Sequence, residues 1–431
     1  MLAAFGKAFK TPDLRVKIFF TLAIMALFRF GSIVPTPGVS YRNVQSCLNQ
    51  TRSGGLFGLI NLFSGGALLH LSVFALGIMP YITSSIIIQL LTVVIPRFET
   101  LKAEGQSGNA KLTQYTRYLT VGLAILQSTG LIAVARSTGR LFSGCTLPII
   151  PDSSWPRIVT MVLVMTAGTS VIMWLGELIT DRGIGNGMSI LIFTSIAAGF
   201  PTQLWSIKQQ KGWFAFLFVM AVGVLVVAAV VFVEQAQRRI PVQYAKRQIG
   251  RQSYGGTSTY IPIKVNQAGV IPVIFASSLL YIPSLIVNFS GSTAKWSVWI
   301  QQNLVRGDHP IYIISYAVLI IFFTYFYVAI TFNPDEVADN MKQYGGFIPG
   351  IRAGKPTSEY LQYVLSRITA AGSLYLAFVA IIPIIALILF QASQNFPFGG
   401  TAILIVVGVG LDTAKQIESQ LQQRSYEGFL R

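Results

Sequence analysis

Charge is what this chain has least of. Asp, Glu, Lys and Arg make up only 11% of its 431 residues and hydrophobic residues 53%. Soluble domains carry roughly 25% charged residues, so this composition describes a multi-span membrane protein. Cysteine and histidine are nearly missing too. Two cysteines, Cys47 and Cys145, and two histidines exclude a disulfide scaffold and a zinc-ligand cluster, so no metal and no cofactor are expected. Pumps and coupled transporters keep ionisable groups at membrane depth despite their cost. Here Arg29 is the one formal charge inside an apolar run, towards its outer end, while Glu177 and Asp412 sit at run ends. Nucleotide loops are absent as well. GIRAGKPT at 350–357 has proline at 349 and 356, where a phosphate-cradling loop needs Gly and Ser or Thr. GIGNG at 183–187 follows an apolar run rather than a strand and reads as a turn. No Ser/His/Asp or Cys/His arrangement can be argued, so the chain is not expected to be an enzyme.

What is present is apolar length. Ser53 to Pro96 is a 44-residue stretch with no Asp, Glu, Lys or Arg. About 20 residues cross the hydrocarbon core, so this stretch must break. The break falls at Ser64-Gly65-Gly66, giving a short apolar helix from Leu56 to Phe63 that does not cross, then a span from about Leu71 to Ile95. A short uncharged helix of that kind has to be buried in protein or in a cavity.

The same window test places the other spans at 18–34, 115–135, 158–177, 184–200, 213–233, 267–287, 311–332, 368–390 and 398–411, which makes ten. The first run is long, ends at Pro35-Thr36-Pro37 and lacks a small-x-small site, so it is expected to be retained as a span. Ten spans put both termini on one side. That side carries 22 Lys and Arg against 9 on the other, which orients both termini to the cytoplasm. Most of the +17 net charge is therefore topology.

Two loops on that side exceed what orientation needs. Residues 234–266 hold two β-prone runs around GRQSYGG, a basic hairpin with Tyr244, Tyr254 and Tyr260 interleaved. Residues 333–360 carry GGFIPGIRAGK. Exposed aromatics among cations suit an acidic protein surface or the phosphates of structured RNA; anionic lipid headgroups are the plainer alternative.

The segments GGALLHLSVFALGIMPYITSSIIIQLLTVVIPRFE, VMTAGTSVIMWLGELITDRGIGNGMSILIF, VNQAGVIPVIFASS and FGGTAILIVVGVGLDT resemble, one after another, the SecY/Sec61-alpha family of protein translocase channel subunits, in wording nearest to actinobacterial members. The resemblance implies an all-α integral membrane fold of ten transmembrane helices in two pseudo-symmetric halves, 18–205 and 206–411, around an hourglass pore. A cytoplasmic segment (1–17) precedes them and a tail (412–431) follows. It implies a plug at 56–66, made of Leu56, Phe57, Leu59, Ile60, Asn61, Leu62 and Phe63 with the hinge Ser64, Gly65 and Gly66. The pore ring would be Ile78, Ile82, Met188, Ile192, Ile274 and Ile405, with Met188 where isoleucine is usual. Ile78 with Ile82, and Met188 with Ile192, are i, i+4 pairs on one helix face. A lateral gate between spans two and seven, beside span three, would include Thr83, Gln89, Gln127 and Asn266, able to hydrogen-bond across it when closed. Docking would fall to Arg238, Arg239, Lys246, Arg247, Arg251 and Arg352, although Ala353 and Gln252 depart from the usual pattern.

The implied function is a passive channel that moves unfolded secretory polypeptides across the bacterial cytoplasmic membrane and inserts membrane proteins into it. Its implied partners are SecE, SecG, the SecA ATPase or a ribosome (ribosomal RNA and proteins at the exit tunnel), precursors with signal sequences, and anionic lipids. The competing reading is a small-solute secondary transporter; the missing midplane charges and the oversized loops count against it. Cys47 and Cys145 both fall in predicted external loops, and a bridge or two free thiols both remain open.

Overall fold

The computed structural model describes residues 11–50, 64–136, 147–152, 154–244, 247–249, 252–254, 258–290, 295–305, 309–390 and 400–427, with Phe9 and Cys145 besides. Each of the ten expected runs overlaps a helix among the described residues. α1 (Pro12–Gly31) starts with proline in its first turn and Asp13 at the positive end of its dipole. After the short α2 (Tyr41–Gln50) come α3 (Met79–Val94) and α4 (Pro96–Ala103), bent by 100° where Pro96 interrupts the helix. Then follow α5 (Gln106–Arg136), α6 (Trp155–Arg182) and α7 (Gly187–Gln235). α7 holds two of the runs, separated at Gly212, whose φ of 81° and ψ of −176° are not helical. The later helices are α8 (Ile271–Ser290), α9 (Lys295–Ile300), which continues into a π-helical turn, α10 (Pro310–Thr331), α11 (Pro334–Gln343), α12 (Lys355–Phe390) and α13 (Gly400–Glu427). Among the described residues, five helices are long and apolar enough to cross a membrane, or six if α3 and α4 form one bent span. Gly187–Pro201 and Ile271–Leu280 are shorter apolar helices.

Two expectations need correction. The second run is not helical from Leu71. Residues 64–78 form successive turns, and the helix begins only at Met79. Gly65, Gly66 and Gly77 lie at φ of 65°, 93° and 56°, and Leu71 at 46°, so the right-handed helix cannot propagate through them. The segment is tied instead to the chain after α1. Pro35 and Ser72 form a β-bridge, Val73 N–H donates to the Val34 carbonyl at 2.9 Å, and Thr36 N–H donates to the Leu71 carbonyl at 3.1 Å. Ser64, Gly65 and Gly66, expected as the break after the short helix, are in turns.

Nor is the fold purely helical. Loop 234–266 forms β1 (Gln237–Tyr244), β2 (Arg247–Ile249), β3 (Gln252–Tyr254) and β4 (Ser258–Lys264), and loop 333–360 contributes α11 and β5 (Gly346–Phe347). β1 pairs antiparallel with β4, from Gln237 opposite Lys264 to Gln243 opposite Ser258, and on its other edge with β5. The two basic loops, separate in sequence, therefore share one three-stranded sheet in the order β4-β1-β5. Ile240, Val242 and Ile263 face one side of it and pack with Val328, Met341, Ile348 and Leu361. Residues 412–427 of the expected tail continue α13, which is helical as far as Glu427.

Apolar clusters hold the helices. One is built from α1, the 64–78 turns, the start of α3, α6, the first part of α7, α8 and α13. The other joins α3, the second part of α7, α8, α10, α12 and α13. A third surrounds Cys47 and Cys145, which form a disulfide with a Cα–Cα distance of 5.5 Å and fasten α2 to the segment before α6.

Candidate functional site

The six expected ring residues arise on four stretches of chain and meet in the first of these clusters. Ile78 is the N-cap of α3, and Ile82 lies one turn on. Met188 and Ile192 are on the first part of α7, Ile274 is on α8, and Ile405 is on α13. Ile78, Ile192, Ile274 and Ile405 are buried, and Ile82 and Met188 are half-buried against them. The local sequence explains the placement of Met188. Asn186 caps α7 through its side-chain oxygen, which accepts from the N–H groups of Met188 and Ser189 at 3.1 and 3.4 Å. α6 and α7 approach so closely that a Cβ on Gly187 would lie 1.8 Å from the Gly176 carbonyl oxygen, and one on Gly176 would lie 2.5 Å from the Met188 sulfur. GIGNG is thus a turn and a helix start, as its position after an apolar run suggests.

Chemically the cluster offers no charge and no fixed hydrogen-bond partner. It can exclude water and ions but cannot hold a solute by polar contacts. The 64–78 turns pass alongside it, contributing Phe74 and Ile78. The Ser64 hydroxyl accepts from Leu68 N–H at 3.1 Å, and Arg29 of α1 donates to the Gly65 carbonyl. Leu56, Phe57, Leu59, Ile60, Asn61, Leu62 and Phe63 lie outside the described residues.

α8 touches both α3 and α5, so the helices expected to flank a lateral gate are neighbours. The four polar residues do not join them. The Thr83 hydroxyl donates to Met79 of its own helix at 2.9 Å, and Asn266 Nδ2 donates to Glu234 Oε1 at 2.6 Å and to the Gly269 carbonyl at 3.2 Å. No hydrogen bond links any two of Thr83, Gln89, Gln127 and Asn266 among the described residues. Asn266 instead fixes the base of the hairpin to the end of α7.

The basic face is exposed. Arg238 and Arg239 project from β1, and the Arg239 guanidinium lies 4.8 Å from the centre of the Tyr260 ring across the ladder. Arg352 is exposed in the loop after β5, between Gly350 and Gly354 at φ of 85° and 101°, and its carbonyl accepts from the Thr357 hydroxyl at 2.8 Å. Because β5 pairs with β1, this loop and the two arginines belong to one sheet, Arg238 and Arg239 projecting to its opposite faces. Arg247 is described only as part of β2, and Lys246 and Arg251 lie outside the described residues.

Sequence reasoning missed several contacts. Arg117 of α5 grips Glu177 of α6 through two bonds of 2.8 Å, and Lys264 of β4 lies 3.5 Å from Asp412 of α13. Glu177 and Asp412 were visible as charges at run ends, but nothing in the sequence names their partners.

The SecY family model matches residues 72–414. The chain is 69% identical over 438 residues to the protein translocase subunit SecY of Streptomyces galbus, covering all of both chains. Among solved structures it is similar to a SecY translocation channel whose plug domain is described as stabilising the closed state and maintaining a membrane seal, with a TM-score of 0.62 at 18% identity over 94% of this chain and 91% of that one. It is also similar to Sec61 of the canine ribosome-channel complex from the endoplasmic reticulum, with a TM-score of 0.59 at 15% identity over the same shares. At those identities the likeness carries the fold.

Proposed function

The chain belongs to the SecY family of protein translocase subunits, and from that premise we propose how its residues perform the work. It is a multi-pass helical membrane protein and the channel subunit of a protein translocase, not a solute transporter. Ten spans in two halves, 18–205 and 206–411, enclose a pore in the bacterial cytoplasmic membrane, with both termini cytoplasmic. The observation that carries the reading is the meeting of Ile78, Ile82, Met188, Ile192, Ile274 and Ile405 in one apolar cluster. Such a constriction stops ions by dewetting, yet it gives a passing chain of arbitrary sequence nothing to stick to. Met188 brings a flexible, polarisable side chain that can follow residues of different size.

The seal does no catalysis, so the energy comes from outside. The sheet carrying Arg238 and Arg239, with the Arg352 loop beside it, is the docking face for the SecA motor or for a ribosome at its RNA and proteins. Lys246, Arg247 and Arg251 extend it along the hairpin. SecE and SecG complete the complex, anionic lipids meet the remaining cytoplasmic cations, and α3 and α8 part to let a signal sequence reach lipid. Leu56 to Gly66 close the pore from outside at rest.

The test is reconstitution. Vesicles holding the chain with SecE, SecG, SecA and ATP are expected to bring a secretory precursor into a protease-protected state. Absence of protection, with motor binding demonstrated, contradicts the function.

A further inference from the structure

Arg29, the lone charge inside an apolar run, ends on the backbone of the turn segment, where its Nη1 donates to the Gly65 carbonyl. Gly65 lies at φ 65°, and a Cβ built on it would be 3.1 Å from Arg29 Nη1 and 3.1 Å from the Cα of Ser195 on α7. α1, the turns and α7 therefore converge at a point where only glycine fits. Ser195 is itself buried, its hydroxyl donating to the Leu191 carbonyl at 3.0 Å.

A guanidinium is expensive in apolar surroundings and is retained where an acceptor compensates it. No carboxylate pairs with Arg29 among the described residues, so the Gly65 carbonyl takes that role. The middle of the same segment is held separately, by the Pro35–Ser72 bridge and the bonds around it. Arg29 thus fixes the near end of a stretch that runs directly into Ile78 and Ile82.

We propose that Arg29 is a positioning residue that latches the resting seal. It holds Gly65 against α7, which keeps residues 64–78 and the start of α3 seated in the apolar cluster, and it releases the carbonyl when a polypeptide parts α7 from the turns. The proposal rests on reading that cluster as the pore constriction. Losing one hydrogen bond from a charged donor shifts the closed-to-open ratio on the order of tenfold.

The experiment compares the resting ion leak of vesicles carrying the complex as wild type, Arg29→Leu, Arg29→Lys and Gly65→Ala, without precursor, with assembly followed by thermal melting. Arg29→Leu is expected to leak on the order of 10-fold more, and Arg29→Lys, which keeps a charged donor, to fall between it and wild type. Gly65→Ala disturbs the carbonyl from the other side and is expected to leak like Arg29→Leu; it decides the matter should Arg29→Leu fail to assemble. Wild-type leak in the assembled variants, even with a lowered melting temperature, overturns the latch. Precursor protection by the wild type in the same vesicles reports on the underlying reading. Protection alongside unchanged leak overturns the latch alone, whereas no protection overturns the pore reading and the latch with it.

Discussion

The apolar cluster proposed as the pore constriction and the basic sheet are built on opposite principles. In the cluster, side chains from distant parts of the chain do everything: Ile192 and Ile405 are 5% and 1% exposed, and any group placed there is desolvated. In the sheet, the β1–β4 and β1–β5 ladders set the position, while the arginines proposed to carry docking stand in water. A change in the cluster is therefore felt as leak or unfolding, and a change on the sheet as lost docking with the fold intact. That contrast can be broken by experiment.

The largest effect is expected on the sheet. Arg352→Glu reverses a charge at the docking loop and is expected to cut motor-driven export on the order of 100-fold while the protein inserts and melts normally. Export assays beside a melting curve check this, and near-normal export would remove the docking role. In the cluster, Ile192→Asp buries an unpaired carboxylate at a cost of about 3 kcal/mol and admits water. Resting conductance is expected to rise with motor affinity unchanged, and a tight channel would show that Ile192 does not line the constriction.

Replacing both Cys47 and Cys145 by serine tests a region belonging to neither. Freeing a crosslink across 98 residues is expected to cost about 2–4 kcal/mol, read as a lowered melting temperature that reductant reproduces in the wild type, with docking untouched. Glu177→Gln comes last. It leaves the half-exposed Arg117 with a neutral partner and is expected to cost about 0.5–1 kcal/mol, a loss that shrinks at high salt. A salt-independent change would point to packing between α5 and α6 instead.

The two regions also differ in how far the sequence disclosed them. Apolar runs locate the helices because burial is written in composition, and the i, i+4 spacing of Ile78 with Ile82 puts that pair on one face. The assembly of six ring residues is different: spacing alone would leave Ile274 and Ile405 as ordinary packing, and only the motif resemblance singles them out. Backbone handedness is invisible to a hydropathy window, so the turns at 71–78 read as helix until the positive φ of Leu71 and Gly77 is seen. Strand pairing between Tyr244 and Gly346 spans about a hundred residues, so two loops that read as separate share one sheet. Asn266 read as gate glue because it is polar at a span end, but the buried carboxylate of Glu234 claims its amide.

The most direct measurement places a photoreactive residue at Ile82, with a second copy at Leu225, which is 69% exposed on the outer face of α7, as control. A secretory precursor is stalled halfway through the reconstituted complex and the sample irradiated. The account predicts a precursor adduct from position 82 and none from 225. No adduct at 82, with the motor bound and the precursor engaged, would contradict the assignment of this apolar cluster as the path of the polypeptide.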